Sequence, residues 1–192
     1  MSSTNRGGER NKNDYYVTPI QPILDFCKAI EEDLGWTWKG KRVLDPCAGG
    51  DDKHPMSYPT ALQQFCPGLE VITVDIREDS KAQFLGDYLT SNLEMTPPDV
   101  VMSNPPFFLA QQFVDKGLAD VCDNGWVILL LRLNYFGSQK RLKWWQSQMP
   151  LWCYVHAERM SFTEDGRTDS IEYCHCMWQK DNYPSFTQLR VI

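Results

Sequence analysis

The chain has 192 residues, 42% of them hydrophobic and 23% charged, which is the balance of one folded domain and excludes disorder throughout. The longest apolar run, Trp126 to Leu131, stops at Arg132, too short for a membrane-crossing helix, and the polar start MSSTNRGGERNKND has no apolar stretch of a secretory signal. Nineteen basic against twenty-five acidic residues give a net charge of −6, so any nucleic-acid role needs a local basic patch or a partner chain rather than bulk charge.

Residues 1–13 are rich in Ser, Asn, Gly and charge and read as a flexible arm, with residues 14–192 as a single domain. After Tyr15-Tyr16-Val17-Thr18-Pro19, the spacing of Ile23, Phe26, Cys27 and Ile30 predicts a helix from about Pro22 to Leu34, ended by Gly35. Lys41 to Asp45 reads as a strand running into the small-residue loop Pro46-Cys47-Ala48-Gly49-Gly50. A helix over about Tyr58–Phe65 and a β-branched strand over Glu70–Asp75 follow. Ala82–Leu85 reads as a third strand before Gly86-Asp87, and Pro98–Met102 as a fourth before Ser103-Asn104-Pro105-Pro106-Phe107. A long helix over about Leu109–Cys122, the strand Trp126–Leu131 and a helix over about Ser138–Gln148 come next. The tail holds strands near 151–156 and 170–178, with Glu164-Asp165-Gly166-Arg167 as a turn or loop. Helices alternating with continuously apolar strands predict an α/β fold: a mostly parallel, doubly wound sheet with an antiparallel C-terminal hairpin at one edge.

In such sheets ligands sit outside the C-terminal strand ends. Four successive strands here end in a polar group: Asp45, Asp75, Asp87 and Asn104. The loop after Asp45 lets a ligand approach the backbone, but it is neither GxGxxG nor a phosphate-binding P-loop. An acid after the second strand suits ribose hydroxyls, and Asp87 suits an adenine amine. Together they fit an adenosine ligand without phosphate. At the fourth strand end, two prolines fix the backbone carbonyls, Asn104 adds another acceptor and Phe107 an aromatic face. That set suits a planar group bearing an NH2.

The order Tyr-x-Thr-Pro, Asp-Pro-x-Ala-Gly, strand-end Asp, Gly-Asp, Asn-Pro-Pro-Phe resembles the S-adenosylmethionine-dependent amino-methyltransferases. More closely it is similar to the phage- and prophage-type DNA adenine-N6 methyltransferases. The motifs span Tyr15 to Phe107, and Arg132-Leu133-Asn134 to Trp178 also looks like that group. The resemblance implies a Rossmann-like class I methyltransferase in the cytoplasm of a bacterium or phage-infected cell. It implies S-adenosylmethionine as cofactor, S-adenosylhomocysteine as product and duplex DNA as partner, together with a partner subunit or homodimer. It places Tyr15, Thr18 and Pro19 beside the methionine half of the cofactor, and Asp45, Pro46, Ala48 and Gly49 in the cofactor loop. Asp75 would take the ribose, Ile76 the adenine ring and Asp87 the adenine amine. Asn104, Pro105, Pro106 and Phe107 would be catalytic. The chain departs from the family pattern at Asp51, where a glycine is usual, and in the polar stretch to Pro59.

The implied chemistry is methyl transfer to adenine N6 on a flipped-out base, with Asn104 and the Pro105 carbonyl accepting the amine hydrogens and Phe107 stacking. RNA adenine, protein glutamine and a non-catalytic subunit of the same fold are the alternatives. Arg132, Lys140, Arg141 and Lys143 are candidates for phosphate contacts, and Trp144-Trp145 for a base-step wedge or core packing. Ser161–Thr168 is either a mobile loop over the target or an ordinary hairpin loop. Seven cysteines, odd in number and without C-x-x-C, read as free thiols. Cys174-His175-Cys176 reads as core packing rather than a metal site. His54 and His156 carry no assigned role.

Overall fold

The computed structural model of the chain describes residues 16–162, 168 and 170–192; the N-terminal arm, Tyr15 and Glu164 to Arg167 lie outside the described residues. Helix α1, Ile20–Leu34, buries Ile23, Phe26, Cys27, Ala29 and Ile30 on one face. It stops where Gly35 turns left-handed (φ 60°) and its N–H closes on the Glu31 carbonyl at 3.1 Å. The strands are β1 (Arg42–Asp45), β2 (Glu70–Asp75), β3 (Phe84–Leu85), β4 (Val100–Ser103), β5 (Trp126–Arg132), β6 (Trp152–Val155), β7 (Tyr173–Gln179) and β8 (Gln188–Val191). Between them lie α2 (Ser57–Phe65), α3 (Ala110–Asp120) and α4 (Leu142–Ser147).

All eight strands form one sheet in the order β3-β2-β1-β4-β5-β7-β6-β8. The first five pair in parallel, β7 runs antiparallel to both β5 and β6, and β8 pairs in parallel with β6. Successive side chains leave opposite faces of a strand, so each central strand feeds two cores. Leu44, Val101 and Leu129 pack on one face with Phe113 and Val114 of α3. Val43, Met102 and Ile128 pack on the other with Ile23 and Phe26 of α1 and Leu62 of α2. Helix α3 lies so close to the sheet at Gly117 that an added Cβ would stand 2.9 Å from the Val127 side chain.

The α/β class and the predicted parallel half stand as read. Two local expectations are corrected, and one strand is added. The helix expected over Ser138–Gln148 breaks into a 3-10 turn, Gln139–Arg141, and the short α4. The third strand covers only Phe84–Leu85, because the amides of Ala82 and Gln83 bond to the Ser80 and Thr73 hydroxyls instead of a ladder. The antiparallel strands expected on the C-terminal side of the sheet are present as β5–β7–β6, and β8, which the sequence reading missed, lies outside them. Its four residues show one half-buried position and leave Leu189 and Val191 60% exposed, so no core face marks it.

Candidate active site

Strand order reverses between β1 and β4, so the loops that follow them diverge and open a crevice at that rim. Asp45, which ends β1, is fully buried. Its Oδ1 accepts the Ser103 hydroxyl at 2.6 Å and the Cys47 N–H at 3.2 Å. Its Oδ2 is buried without a partner. Burial pushes the carboxyl up to about 7 against the pull of those two hydrogen bonds, and nearby Asp75 adds to the rise.

The loop Pro46, Ala48 and Gly49 is buried as well. Gly49 and Gly50 are both left-handed (φ 66° and 74°), which their lack of Cβ permits. Ala48 N–H bonds to the Val74 carbonyl at 3.0 Å, and Gly49 N–H to Asp75 Oδ2 at 2.7 Å. Asp75 Oδ1 accepts the Arg77 N–H at 2.9 Å and its Nε at 3.3 Å. The Arg77 guanidinium also reaches the Gly50 carbonyl at 2.8 Å, and Ser80 donates to the Gly49 carbonyl. The acid expected at the ribose is thus also the anchor of the loop. Ile76 beside it is 54% exposed, an apolar face on the rim. Asp87 is half-buried and accepts the Leu89 N–H at 3.0 Å. Asp51 closes its own turn, accepting the amides of Lys53 and His54 at 2.8 Å each, and those bonds hold its carboxyl below its ordinary range.

At the end of β4, Asn104 donates its side-chain NH2 to the hydroxyl of Thr18 at 3.0 Å. Thr18 is buried and Pro19 follows it as the residue before α1. Among the described residues, neither Asn104 Oδ1 nor the Pro105 carbonyl accepts a hydrogen bond. Pro105 is buried, and the Pro106 carbonyl takes the Leu109 N–H at 2.9 Å, opening the turn Phe107–Leu109. The Phe107 ring lies 6.0 Å from that of Tyr173, with the Arg132 guanidinium 4.9 Å above it. Phe162 packs on Tyr173 from 4.8 Å.

The structure therefore brings Thr18, Asp45, Asp75 and Asn104 to one rim, each within hydrogen-bonded reach of a neighbouring loop. Sequence reasoning missed Ser103, Arg77 and Ser80. A polar residue ending an apolar strand was the available signal for Ser103; nothing local marked the other two. The basic candidates separate. Arg141 is spent on Tyr135, bonding its carbonyl at 2.9 Å and covering its ring, whereas Lys140 and Lys143 are exposed. Trp145 is buried against Phe136 at 4.6 Å, which bears out the core alternative for that residue.

His156 and His175 form a buried chain with Tyr58: Tyr58 hydroxyl to His175 Nε2 at 3.0 Å, His175 Nδ1 to His156 Nε2 at 2.8 Å. Burial lowers both imidazoles, His156 to about 4. On the opposite face of β7, the Cys176 sulfur lies 3.7 Å from that of Cys174 and 3.9 Å from that of Cys153. The three buried thiols form one S–H···S cluster, their sulfurs all within 4.8 Å of one another, and desolvation drives the Cys176 thiol well up. At the other end of the strands, Trp36, Trp126 and Trp152 line a shallow groove remote from the rim. No described helix is long and apolar enough to cross a membrane.

No family model and no curated protein matches the chain. Solved structures do. A Listeria monocytogenes protein assigned as a class I S-adenosylmethionine-dependent methyltransferase is 17% identical, with 96% of this chain covering 68% of that one at a TM-score of 0.66. An S-adenosylmethionine-dependent O-methyltransferase from Thermotoga maritima is 11% identical, with coverage of 86% and 67% and a TM-score of 0.58. The M protein of the type I restriction enzyme EcoKI is 14% identical, with 92% of this chain covering 48% of that one at 0.60. The chain accordingly has the Rossmann-like class I methyltransferase fold.

Proposed function

We propose that this chain transfers the methyl group of S-adenosylmethionine to the exocyclic N6 amine of adenine in DNA, on a base turned out of the duplex. The observation that carries the reading is Asn104. Its amide nitrogen is engaged by Thr18, while its oxygen and the neighbouring Pro105 carbonyl keep their accepting capacity at the strand-order reversal.

The rim residues fit the cofactor. The unpartnered Oδ2 of buried Asp45 suits the ammonium of a methionine group, a cation that would keep this carboxyl ionised. Exposed Ile76 suits the adenine ring, and Asp75 and Asp87 suit the ribose hydroxyls and the adenine amine. Pro46, Ala48 and Gly49 leave the backbone approachable, with Pro19 on the N-terminal side. When bound, S-adenosylmethionine supplies an electrophilic sulfonium methyl.

The protein's own part is orientation. Adenine N6 is a weak nucleophile because its lone pair is delocalised into the ring. Asn104 Oδ1 and the Pro105 carbonyl accept its two N–H groups and draw the nitrogen toward a tetrahedral shape, freeing the lone pair along one direction. Pro105 and Pro106 hold this backbone rigid, and Phe107 offers a stacking face.

The acceptor class is argued from the amine chemistry of Asn104 and from the likeness to a restriction-enzyme M protein. The likeness to an O-methyltransferase shows that fold alone does not choose the acceptor atom. The chain spans about half the length of that M protein. In this reading a partner subunit or a second copy shares the DNA, with exposed Lys140 and Lys143 on phosphates. The test is transfer of labelled methyl to unmethylated duplex DNA, with the nucleosides then identified by mass spectrometry. Labelled N6-methyldeoxyadenosine is expected. Cofactor binding with no label in DNA overturns the DNA reading in favour of RNA or protein.

A further inference from the structure

We infer that Thr18 is a positioning residue for the catalytic asparagine, not only a wall of the cofactor site: its hydroxyl pins one end of the Asn104 amide so that the other end is presented at a fixed place. The kinetic consequence rests on the proposed amine methylation; the geometry does not.

An asparagine amide has a donor end and an acceptor end of nearly the same shape, exchanged by half a turn of one bond. An amine acceptor needs the oxygen, because two NH2 groups cannot bond through their hydrogens. At Asn104 nothing in the backbone sets this torsion. Pro105 restricts only the backbone of the residue before it. Ser103, whose hydroxyl is adjacent in sequence, is committed to Asp45 at 2.6 Å. Thr18 is the side chain that holds the amide, accepting from its NH2 at 3.0 Å across 86 residues of sequence.

Thr18 is 4% exposed, so water does not compete freely for that bond. A hydroxyl can swivel to accept or donate, so Thr18 fixes the plane of the amide and the amine itself enforces the oxygen-out choice. The plane of the amide is thus set before the substrate arrives, and the amine draws the oxygen rather than the NH2 to its side. The N-terminal Thr-Pro segment and the Asn-Pro-Pro-Phe segment thus form one catalytic unit, although the sheet places them on different chain segments.

The test has two arms. In the first, the Asn104 side-chain amide is observed by NMR in the substrate-free protein, its signal identified by its absence from Asn104→Ala. One of its protons should exchange slowly with solvent, remain slow in Thr18→Ser and become fast in Thr18→Val. Rapid exchange of both protons in the unaltered protein overturns the inference, and that measurement needs no variant to fold. In the second arm, Thr18→Val should lower kcat for amine methylation about 10- to 100-fold while cofactor Kd stays within about threefold, and Thr18→Ser should restore kcat to within about threefold. A valine variant that keeps kcat, or loses cofactor affinity by the same factor as kcat, overturns it, as does a serine variant as impaired as valine. A wild-type protein that binds cofactor and methylates no amine overturns the proposed function instead. The exchange measurement then still decides the hydrogen bond.

Discussion

The rim at the ends of β1, β2 and β4 and the flank formed by β5, β7 and β6 bury polar groups in opposite ways. In the flank, Tyr58, His175 and His156 satisfy one another in a closed chain, and Phe26 stacks on His175 at 4.4 Å. At the rim, Asp45 is just as deeply buried but one carboxylate oxygen has no partner, and Asn104 is tied by its nitrogen alone. Buried titratable groups alone would have pointed to both regions. A buried carboxylate oxygen without a partner separates them: the rim holds one, and the His chain does not. The indole N–H groups of Trp36, Trp38 and Trp145 and the Tyr154 hydroxyl of β6 are buried unpaired too, but each is a neutral group, not a carboxylate.

The contrast is most sharply broken at Asn104. Replacement by alanine should lower methyl transfer about 100- to 1000-fold, the size expected for losing one aligned polar group at the reacting atom. Cofactor binding by calorimetry and the melting temperature should barely move. In the flank the reverse holds. His175→Phe strands the Tyr58 hydroxyl and His156 in the core and should destabilise the protein by about 2 kcal/mol. Denaturant titration reads this, and transfer per folded molecule should be unchanged. A loss of activity at constant stability would place the His chain in the catalytic machinery and erase the distinction.

Asp45→Asn sharpens the comparison from the rim side. The neutral amide keeps an acceptor for Ser103 but loses the charge, so cofactor affinity should fall about tenfold, consistent with one charge-assisted hydrogen bond. Stability should hold or rise, since an expensive buried charge is gone. In the unaltered protein, affinity should weaken as pH falls through about 7, where Asp45 takes up a proton.

The smallest effect is the pH dependence of stability, and its sign differs between the regions. His156 is lowered from 6.5 to about 4, and His175 is lowered as well. In that window the unfolded chain binds protons that the native state refuses, so their contribution is lost as pH falls. Asp45 is raised from 3.8 to about 7, so its contribution is present at low pH and is lost as pH rises through 7. Unfolding midpoints between pH 8 and 4 should therefore slope more steeply downward on acidification in Asp45→Asn than in the unaltered protein. Identical slopes would show that Asp45 is not held protonated.

Much of the rim was legible because its logic is local. A β-branched or apolar run, an acid at its end and small residues or prolines after it can be read at Asp45, Asp75 and Asn104 without knowing the sheet order. Partnerships were not legible. Nothing in the sequence ties Thr18 to Asn104, Ser103 to Asp45, or Arg77 to Gly50, because those bonds cross between strands whose adjacency only the fold defines. His156 and His175 looked idle for the same reason. Strand β8 was hidden differently: its side chains face solvent, so the burial that writes a pattern into a strand is missing there.

The position of β7 has a consequence for how this chain is made. β5 is buried from Val127 to Leu131 and occupies the middle of the sheet, yet the neighbour on its outer side begins at Tyr173. While a ribosome is synthesising the intervening segment, the N-terminal strands can assemble as far as β5 and no further. Seven residues of strand, Trp126–Arg132, six of them apolar, then stand as an open ladder. Only when β7 emerges does that edge close. Nascent chains stalled or truncated in between should pair with each other through β5, and chaperone dependence should peak in that interval of translation.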